Sequence, residues 1–405
     1  MNNFTLLQIN VVANSGSTGR IAEEIGLKAI EHGWNSYIAY GRYAAPSQSH
    51  LIKIGNLFDI ILHGLQTRFF DKHGLASVAS TKRLIKKIEK IKPDVIHIHN
   101  IHGYFLNYKI LFKYLSIVNI PIVWTLHDCW AYTGHCSYYS SINCFKWKIL
   151  CFECPNISSY PKSLLLDRSK RNYCDKKQAF NSVENMTIVP VSKWLTEEVK
   201  SSFLNKYNLK TIFNGINIEI FKYSSSNIME KYNINGKFII LGVASVWGER
   251  KGLNDFKKLS DKLSDNDIII LVGLTKRQII QLPSNIIGIE KTENINELAE
   301  LYSLANVYVN FSIEETFGLT TAESLSCGTP AIVYNATACP EVVSSDTGFV
   351  IEPYDIQAVI DAIGVIKKNG KNYYSRACRQ RAVERFNKDE RCLEYISLYN
   401  ELLQH

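Results

Sequence analysis

Two glutamates eight positions apart, Glu315 and Glu323, bracket Thr316-Phe317-Gly318-Leu319-Thr320-Thr321-Ala322. The apolar run Ala305 to Phe311 before them predicts a strand. The segment from Leu319 through Leu325 to Cys327-Gly328-Thr329-Pro330 predicts a helix with a Gly-Pro stop. Gly318 then turns the chain between strand and helix. A helix N-terminus offers unpaired N–H groups and a partial positive charge, which suits phosphate. Carboxylates beside a diphosphate are poor charge partners but good acceptors for hydroxyls, and ribose and hexose supply hydroxyls. The stretch fits a nucleotide diphosphate sugar.

Cations that could meet such a diphosphate stand in Trp247-Gly248-Glu249-Arg250-Lys251-Gly252. Arg250 would act as a fork and Lys251 as a point charge. Other polar groups fall at the predicted carboxyl ends of strands. His99 and Asn100 follow Asp94-Val95-Ile96-His97-Ile98, and His127 follows Ile122-Val123-Trp124-Thr125-Leu126. His97 and His99 alternate with isoleucines and face one side of the sheet. His97 reads as a packed core residue and His99, nearer the loop, as a substrate contact. Gly16 and Gly19, in Asn14-Ser15-Gly16-Ser17-Thr18-Gly19-Arg20, would let a ligand approach backbone N–H groups. The Gly-x-x-Gly spacing is not a dinucleotide fingerprint.

The Glu-x7-Glu stretch with its internal Phe-Gly-Leu, Cys327-Gly328-Thr329-Pro330-Ala331, and Pro340-Glu341-Val342-Val343 together resemble the retaining GT-B glycosyltransferases of family 4. The resemblance implies that Glu315 faces a donor sugar and Glu323 holds the ribose. It implies that the backbone of Phe317, Gly318, Leu319 and Thr320 lies along sugar and phosphates. Gly16 and Gly19 would belong to the glycine-rich loop beneath donor and acceptor, and His127 would contact the donor sugar as a positioning group. Asn214-Gly215-Ile216-Asn217 with Phe221 resembles the family's interdomain stretch, with Asn217 in place of an acid and on the acceptor side. The chain departs from the family where Val246 stands five residues before Lys251, in place of an arginine.

Alternating strands and helices predict parallel sheets covered on both faces. The pattern restarts after Tyr223-Ser224-Ser225-Ser226-Asn227, and 405 residues suit two domains. The expected fold is α/β of GT-B type, two Rossmann-like parallel-sheet domains facing a central cleft. Residues 1–223 would form the acceptor-binding domain, with a cysteine-rich insert at 129–160. Residues 224–388 would bind the nucleotide sugar, and a helix at 389–405 would, by the resemblance, cross back to the first domain.

Charge divides unevenly. Residues 1–225 hold 27 Lys and Arg against 15 Asp and Glu, and residues 226–405 hold 19 against 23, which returns the net +8. Much of the basic excess lies in the amphipathic run Lys82 to Lys92. Such a helix reads either as a solvated face or as a contact for an anionic membrane. No apolar run is long enough to span a bilayer, and Met1-Asn2-Asn3 leads straight into a predicted strand. The expectation is a cytoplasmic chain, peripheral at most to the inner membrane face, with no nucleic-acid partner.

Cys136, Cys144, Cys151 and Cys154 form a cluster ending in Cys-x-x-Cys-Pro. A structural zinc is one reading of that spacing, reduced thiols the other, and iron–sulfur a lesser option. No cofactor is expected in the chemistry itself. Taken together, the residues and the resemblance imply metal-independent transfer of a sugar, with retention, from a UDP- or GDP-sugar to a glycan or lipid-linked acceptor in surface polysaccharide synthesis. A sugar-nucleotide epimerase of the same shape and a non-catalytic nucleotide-sugar-binding protein are the alternatives.

Overall fold

The computed structural model describes residues 4–224, 228, 232 and 234–404. Ser225, Ser226 and Asn227, where the sequence pattern restarts, and Met1-Asn2-Asn3 lie outside the described residues. The chain divides into two compact units, Met1–Ile212 with Asp389–His405, and Phe213–Lys388.

The first unit holds β1 (Thr5–Asn10), α1 (Gly16–Glu31), β2 (Asn35–Tyr40), β3 (His50–Lys53), α2 (Leu57–Phe70), α3 (Val78–Ile91), β4 (Val95–Ile98), α4 (Tyr108–Leu115), β5 (Ile122–Leu126), α5 (Ser169–Phe180), β6 (Met186–Pro190), α6 (Lys193–Lys200) and β7 (Asn208–Leu209). The strands form one parallel sheet in the order β3-β2-β1-β4-β5-β6-β7. Strands β4, β5 and β6 are buried at every residue. That is why they read as short, nearly unbroken apolar runs rather than alternating ones.

The second unit holds β8 (Phe238–Val243), α7 (Leu253–Ser260), β9 (Asp267–Val272), α8 (Lys276–Ile280), β10 (Ile286–Ile289), α9 (Ile295–Leu304), β11 (Val307–Asn310), α10 (Leu319–Ser326), β12 (Ala331–Tyr334), α11 (Cys339–Val342), β13 (Gly348–Ile351), α12 (Ile356–Asn369) and α13 (Lys371–Phe386). Its parallel sheet runs β10-β9-β8-β11-β12-β13. Each sheet thus reverses strand order once, between β1 and β4 and between β8 and β11. Loops leaving the carboxyl ends of those strand pairs diverge and leave a crevice for ligand.

The last helix, α14 (Lys388–Leu403), buries Tyr395, Ile396, Leu398 and Tyr399 among Leu6, Ile25, Trp34, Val95 and Val123 of the first unit. His97 pins it. Its Nδ1 is 2.6 Å from Tyr399 Oη and its Nε2 is 2.8 Å from Thr125 Oγ1. Residues 213–223 belong to the second unit. The Ile216 N–H donates to the Phe386 carbonyl, and Arg379 Nη1 donates to the carbonyls of Ile218, Phe221 and Ser326.

Candidate functional site

In the second unit, β8 ends in a loop that closes as a 3-10 turn, Glu249–Lys251. Gly252 then turns back at φ +72, with its Cα face against Phe311, where a Cβ would lie 2.3 Å from the Phe311 Cβ. Glycine is therefore required both by the left-handed backbone and by the close approach. This turn directs Lys251 toward the loop after β11, where its ammonium pairs with the Glu315 carboxylate. Both side chains keep about a fifth of their surface in solvent, 19% each. The loop carrying Glu315 is braced from behind. The Glu315 N–H donates to Thr337 Oγ1 at 2.8 Å, and its carbonyl accepts from the Ala338 N–H.

Arg250, expected as a phosphate fork, also has a bracing role within the second unit. Its Nη1 donates to the Glu314 carbonyl at 3.0 Å, while its own carbonyl accepts the Ile313 N–H. It ties the two loops together and sets the Lys251–Glu315 geometry. Gly318 then adopts φ +104 and opens α10, whose first turn has no side-chain cap. Leu319 and Thr320 are half-buried there, so α10 begins with amide donors and a favourable dipole end. The Phe317 ring is buried against Phe213 and Phe386, so its part is to anchor the turn. Thr320 Oγ1 accepts from the buried Tyr308 hydroxyl at 2.7 Å. Glu323, half-buried on α10, accepts from the Tyr302 hydroxyl at 3.0 Å. Burial, with the Glu323 charge beside it, drives the Tyr302 phenol well above its usual range, so it stays a donor. Asn217 is a turn residue: its Oδ1 accepts the N–H groups of Glu219 and Ile220.

In the first unit, the neighbouring strands β4 and β5 bring His99, Asn100, His102, His127 and Asp128 around one pocket. Gln8 Nε2 donates to the Ala22 carbonyl, so Gln8 Oε1 accepts from His99 Nε2 at 3.0 Å. His99 Nδ1 is then an acceptor, and His127 Nε2 donates to it at 3.1 Å. The proton of His127 is fixed on Nε2 and its lone pair on Nδ1. Burial holds His99 well below the usual imidazole range and lowers His127 to about 4, so both are neutral at neutral pH. His99 is 1% exposed, stacked between His97 and His127. The expectation that it contacts substrate is corrected: it fixes the tautomer of His127. Asn100 donates its N–H to Asn10 Oδ1 at 3.2 Å and remains half-buried in the same pocket.

A further pair was absent from the sequence reading. His102 Nε2 donates to Asp128 Oδ2 at 2.7 Å, and Asp128 Oδ1 accepts the Trp130 N–H. Burial pushes the Asp128 carboxyl up, but the charge and hydrogen bond of His102 outweigh it and hold it below the usual carboxylate range. The available signal was the step of three from His99 to His102 and the adjacency of His127 and Asp128. Only the β4–β5 pairing joins them.

Gly16 and Gly19 do not form an open loop. They lie in the first turn of α1, and Gly19 is buried where a Cβ would sit 2.9 Å from Val12 Cγ2. Close packing of helix on loop accounts for Gly19. Gly16 is exposed at φ +60, with open space where a Cβ would be.

Four of the five cysteines of the 129–160 insert, Cys136, Cys144, Cys151 and Cys154, line one pocket beside His135 and Trp147. Their chemistry suits zinc. Among the described residues, however, no three His, Cys, Asp or Glu side chains are placed to hold one ion, so the placement lends the zinc expectation no support.

A family model described as Glycosyltransferase Family 4 matches residues 18–220, half of the chain, and one described as Glycosyl transferases group 1 matches residues 224–385. A protein described as a colanic acid biosynthesis glycosyl transferase, WcaC of Escherichia coli strain K12, is 23% identical over 389 residues, spanning 88% of this chain and 89% of its own. Among solved structures, sucrose-phosphate synthase from Thermosynechococcus elongatus superposes with a TM-score of 0.73 at 16% identity, covering 99% of each chain. Anabaena HepE, solved in complex with UDP and glucose, gives 0.68 at 14% identity, over 98% of this chain and 100% of its own.

Proposed function

Since this chain belongs to glycosyltransferase family 4, a GT-B glycosyltransferase, we propose that it transfers a sugar, with retention, from a nucleotide diphosphate sugar to a glycan or lipid-linked acceptor of a surface polysaccharide. The observation that carries the proposal is the Lys251–Glu315 pair at the strand reversal between β8 and β11, beside the uncapped start of α10. The UDP and glucose bound by HepE favour a nucleotide donor, and the description of WcaC favours a polysaccharide product.

In this mechanism Lys251 and the first amides of α10 take up the charge that develops on the departing diphosphate. No metal is assigned that task. Lys251 exchanges Glu315 for phosphate oxygen, and Glu315 is released to a sugar hydroxyl. Glu323 accepts from ribose hydroxyls while Tyr302 fixes its carboxylate. The leaving group departs on the face from which the acceptor oxygen attacks, and a diphosphate oxygen takes the acceptor proton. His127, held neutral by its burial, positions a hydroxyl and is not required as a base.

The test is product stereochemistry. UDP- and GDP-sugars of defined anomeric configuration are incubated with the purified protein and acceptor, and the new linkage is read by proton NMR. Retention of the donor's configuration is expected; inversion, or free-donor epimerisation without acceptor, would overturn the reading.

A further inference from the structure

Helix α2 is built inside out. Its polar residues His63 and Thr67 are buried, while Leu57, Phe58, Ile61, Leu62, Leu65 and Phe69 are exposed, Leu57 and Phe58 at 70% and 71%. The inward side is specific. Gly74 N–H donates to His63 Nε2 at 3.0 Å, so His63 Nδ1 donates to Ser77 Oγ at 2.9 Å, and Thr67 Oγ1 donates to the His63 carbonyl. The helix is therefore firmly seated with its apolar side outward. A second apolar element adjoins it. The Leu164 N–H donates to the Arg68 carbonyl at 2.7 Å, which places the exposed Leu164-Leu165-Leu166 at the C-terminal end of α2. An apolar patch of this extent marks a docking surface.

Charge around the patch identifies the occupant. Arg68, Lys162, Lys170 and Arg171 are exposed near its C-terminal end. Of the acids there, Asp71 is buried, while Asp167 and Glu153 stay exposed and are outnumbered by these four cations. Buried Asp71 accepts from His135, the Arg168 N–H and Asn172, and Asp167 accepts the N–H groups of Cys154 and Ser169. At the other end, Asp59 accepts from the Asn56 N–H and the Ser80 hydroxyl and lies 3.7 Å from Arg83. Beyond it α3 turns Lys82, Lys86, Lys87 and Lys90 to solvent, with Leu84 and Ile88 inward. An apolar ridge rimmed by cations is complementary to an anionic bilayer surface, where side chains enter the acyl boundary and cations meet headgroups. A two-fold dimer through the same face would set like charges against each other.

We infer that α2 and Leu164-Leu165-Leu166 dock the first unit onto an anionic membrane surface. Behind α2, His63 packs against Tyr104, and Tyr104 meets His73 and Tyr160. Tyr160 in turn lies 3.1 Å from His102 of the His102–Asp128 pair. Docking therefore brings the bilayer within a few side-chain layers of the first unit's polar pocket. In choosing a lipid-linked acceptor this inference rests on the proposed transfer; the docking itself does not.

The experiment is co-sedimentation of the full chain with vesicles of phosphatidylcholine alone and of phosphatidylcholine mixed with phosphatidylglycerol. Binding to the anionic vesicles is expected, weakened by salt. Phe58→Ser with Leu62→Ser should lower the partition coefficient about tenfold or more, given the apolar area removed. Leu165→Ser with Lys162→Glu should lower it separately, so one misfolded variant does not leave the inference untested. Both should keep native melting temperatures and donor binding, which separates loss of docking from failure of the proposed activity. A native chain that ignores every vesicle would overturn the inference. So would binding unchanged in both variants, or a dimer in sedimentation equilibrium that Phe58→Ser with Leu62→Ser dissolves while vesicle binding is absent.

Discussion

Lys251 and Glu315, 64 positions apart, form an ion pair because β8 and β11 are neighbours in the second sheet. Each is a group the sequence marks for donor chemistry, and in this structure each is the other's partner. The pair keeps solvent contact, so it is worth about 0–1 kcal/mol to folding. Lys251→Ala and Glu315→Gln should each lower kcat by roughly 10²–10³ and shift Tm little. The double variant should lose much less than the product of the two, since one arrangement is broken either way. Steady-state kinetics on the three variants measures this, and strictly multiplicative losses would show that the two act independently.

Glu323 and Tyr302 act in series. Glu323→Ala removes the charged acceptor proposed for ribose, a loss of about 1.5–3 kcal/mol, or roughly tenfold to 150-fold in donor affinity. Tyr302→Phe keeps the carboxylate and removes one hydrogen bond to it, so its loss should be smaller, about 1 kcal/mol. Donor KM for both variants checks the order; an effect of Tyr302→Phe exceeding that of Glu323→Ala would contradict it.

Stability should fall in acid through the histidines of the first unit. Burial lowers His63 and His127 to about 4 and holds His73, His97 and His99 well below their usual range. In the unfolded chain each titrates near 6.5. Between those values the unfolded state binds protons that the folded state refuses, so stability rises with pH there. The contribution is complete above about 6.5 and lost as pH falls toward 4, by up to ~1.4 kcal/mol per pH unit for each histidine. Denaturant titrations at a series of pH values should show uptake of several protons on unfolding near pH 5; a flat profile would mean these rings are solvated.

The last helix should be indispensable to the first unit. Tyr399 is fully buried in that core and hydrogen-bonded to His97. Tyr399→Ala should cost about 3–5 kcal/mol, read as a lower denaturation midpoint. Tyr399→Phe, which loses only the hydroxyl, should cost about 1 kcal/mol.

Much of this was legible in sequence because the central strands are buried on both faces and read as apolar runs. The turn at Gly318 and the last helix carried local signals too. Edge strands such as β3 and β10 did not, since their residues are partly exposed and their runs short. Gly19 packs tightly at the start of α1 while Gly16 stays exposed, and glycine spacing alone cannot separate a ligand-facing position from a packed one. Arg250 and His99 were recognised as polar groups in the right loops, but their partners, the Glu314 carbonyl and Gln8, are remote in sequence. The His102–Asp128 pair needed the β4–β5 register. The four cysteines announced a shared pocket, whereas their spacing alone could not say whether they converge on one point.

In the proposed function the second unit holds a nucleotide diphosphate sugar through Lys251, the start of α10, and Glu323. Calorimetric titration of the purified chain with UDP- and GDP-sugars tests it most directly. One saturable site is expected for one of the two donor classes, weakened by removing the diphosphate from the ligand and at least tenfold weaker in Glu323→Ala. No measurable heat with any nucleotide sugar, or a site indifferent to both the diphosphate and Glu323, would contradict it.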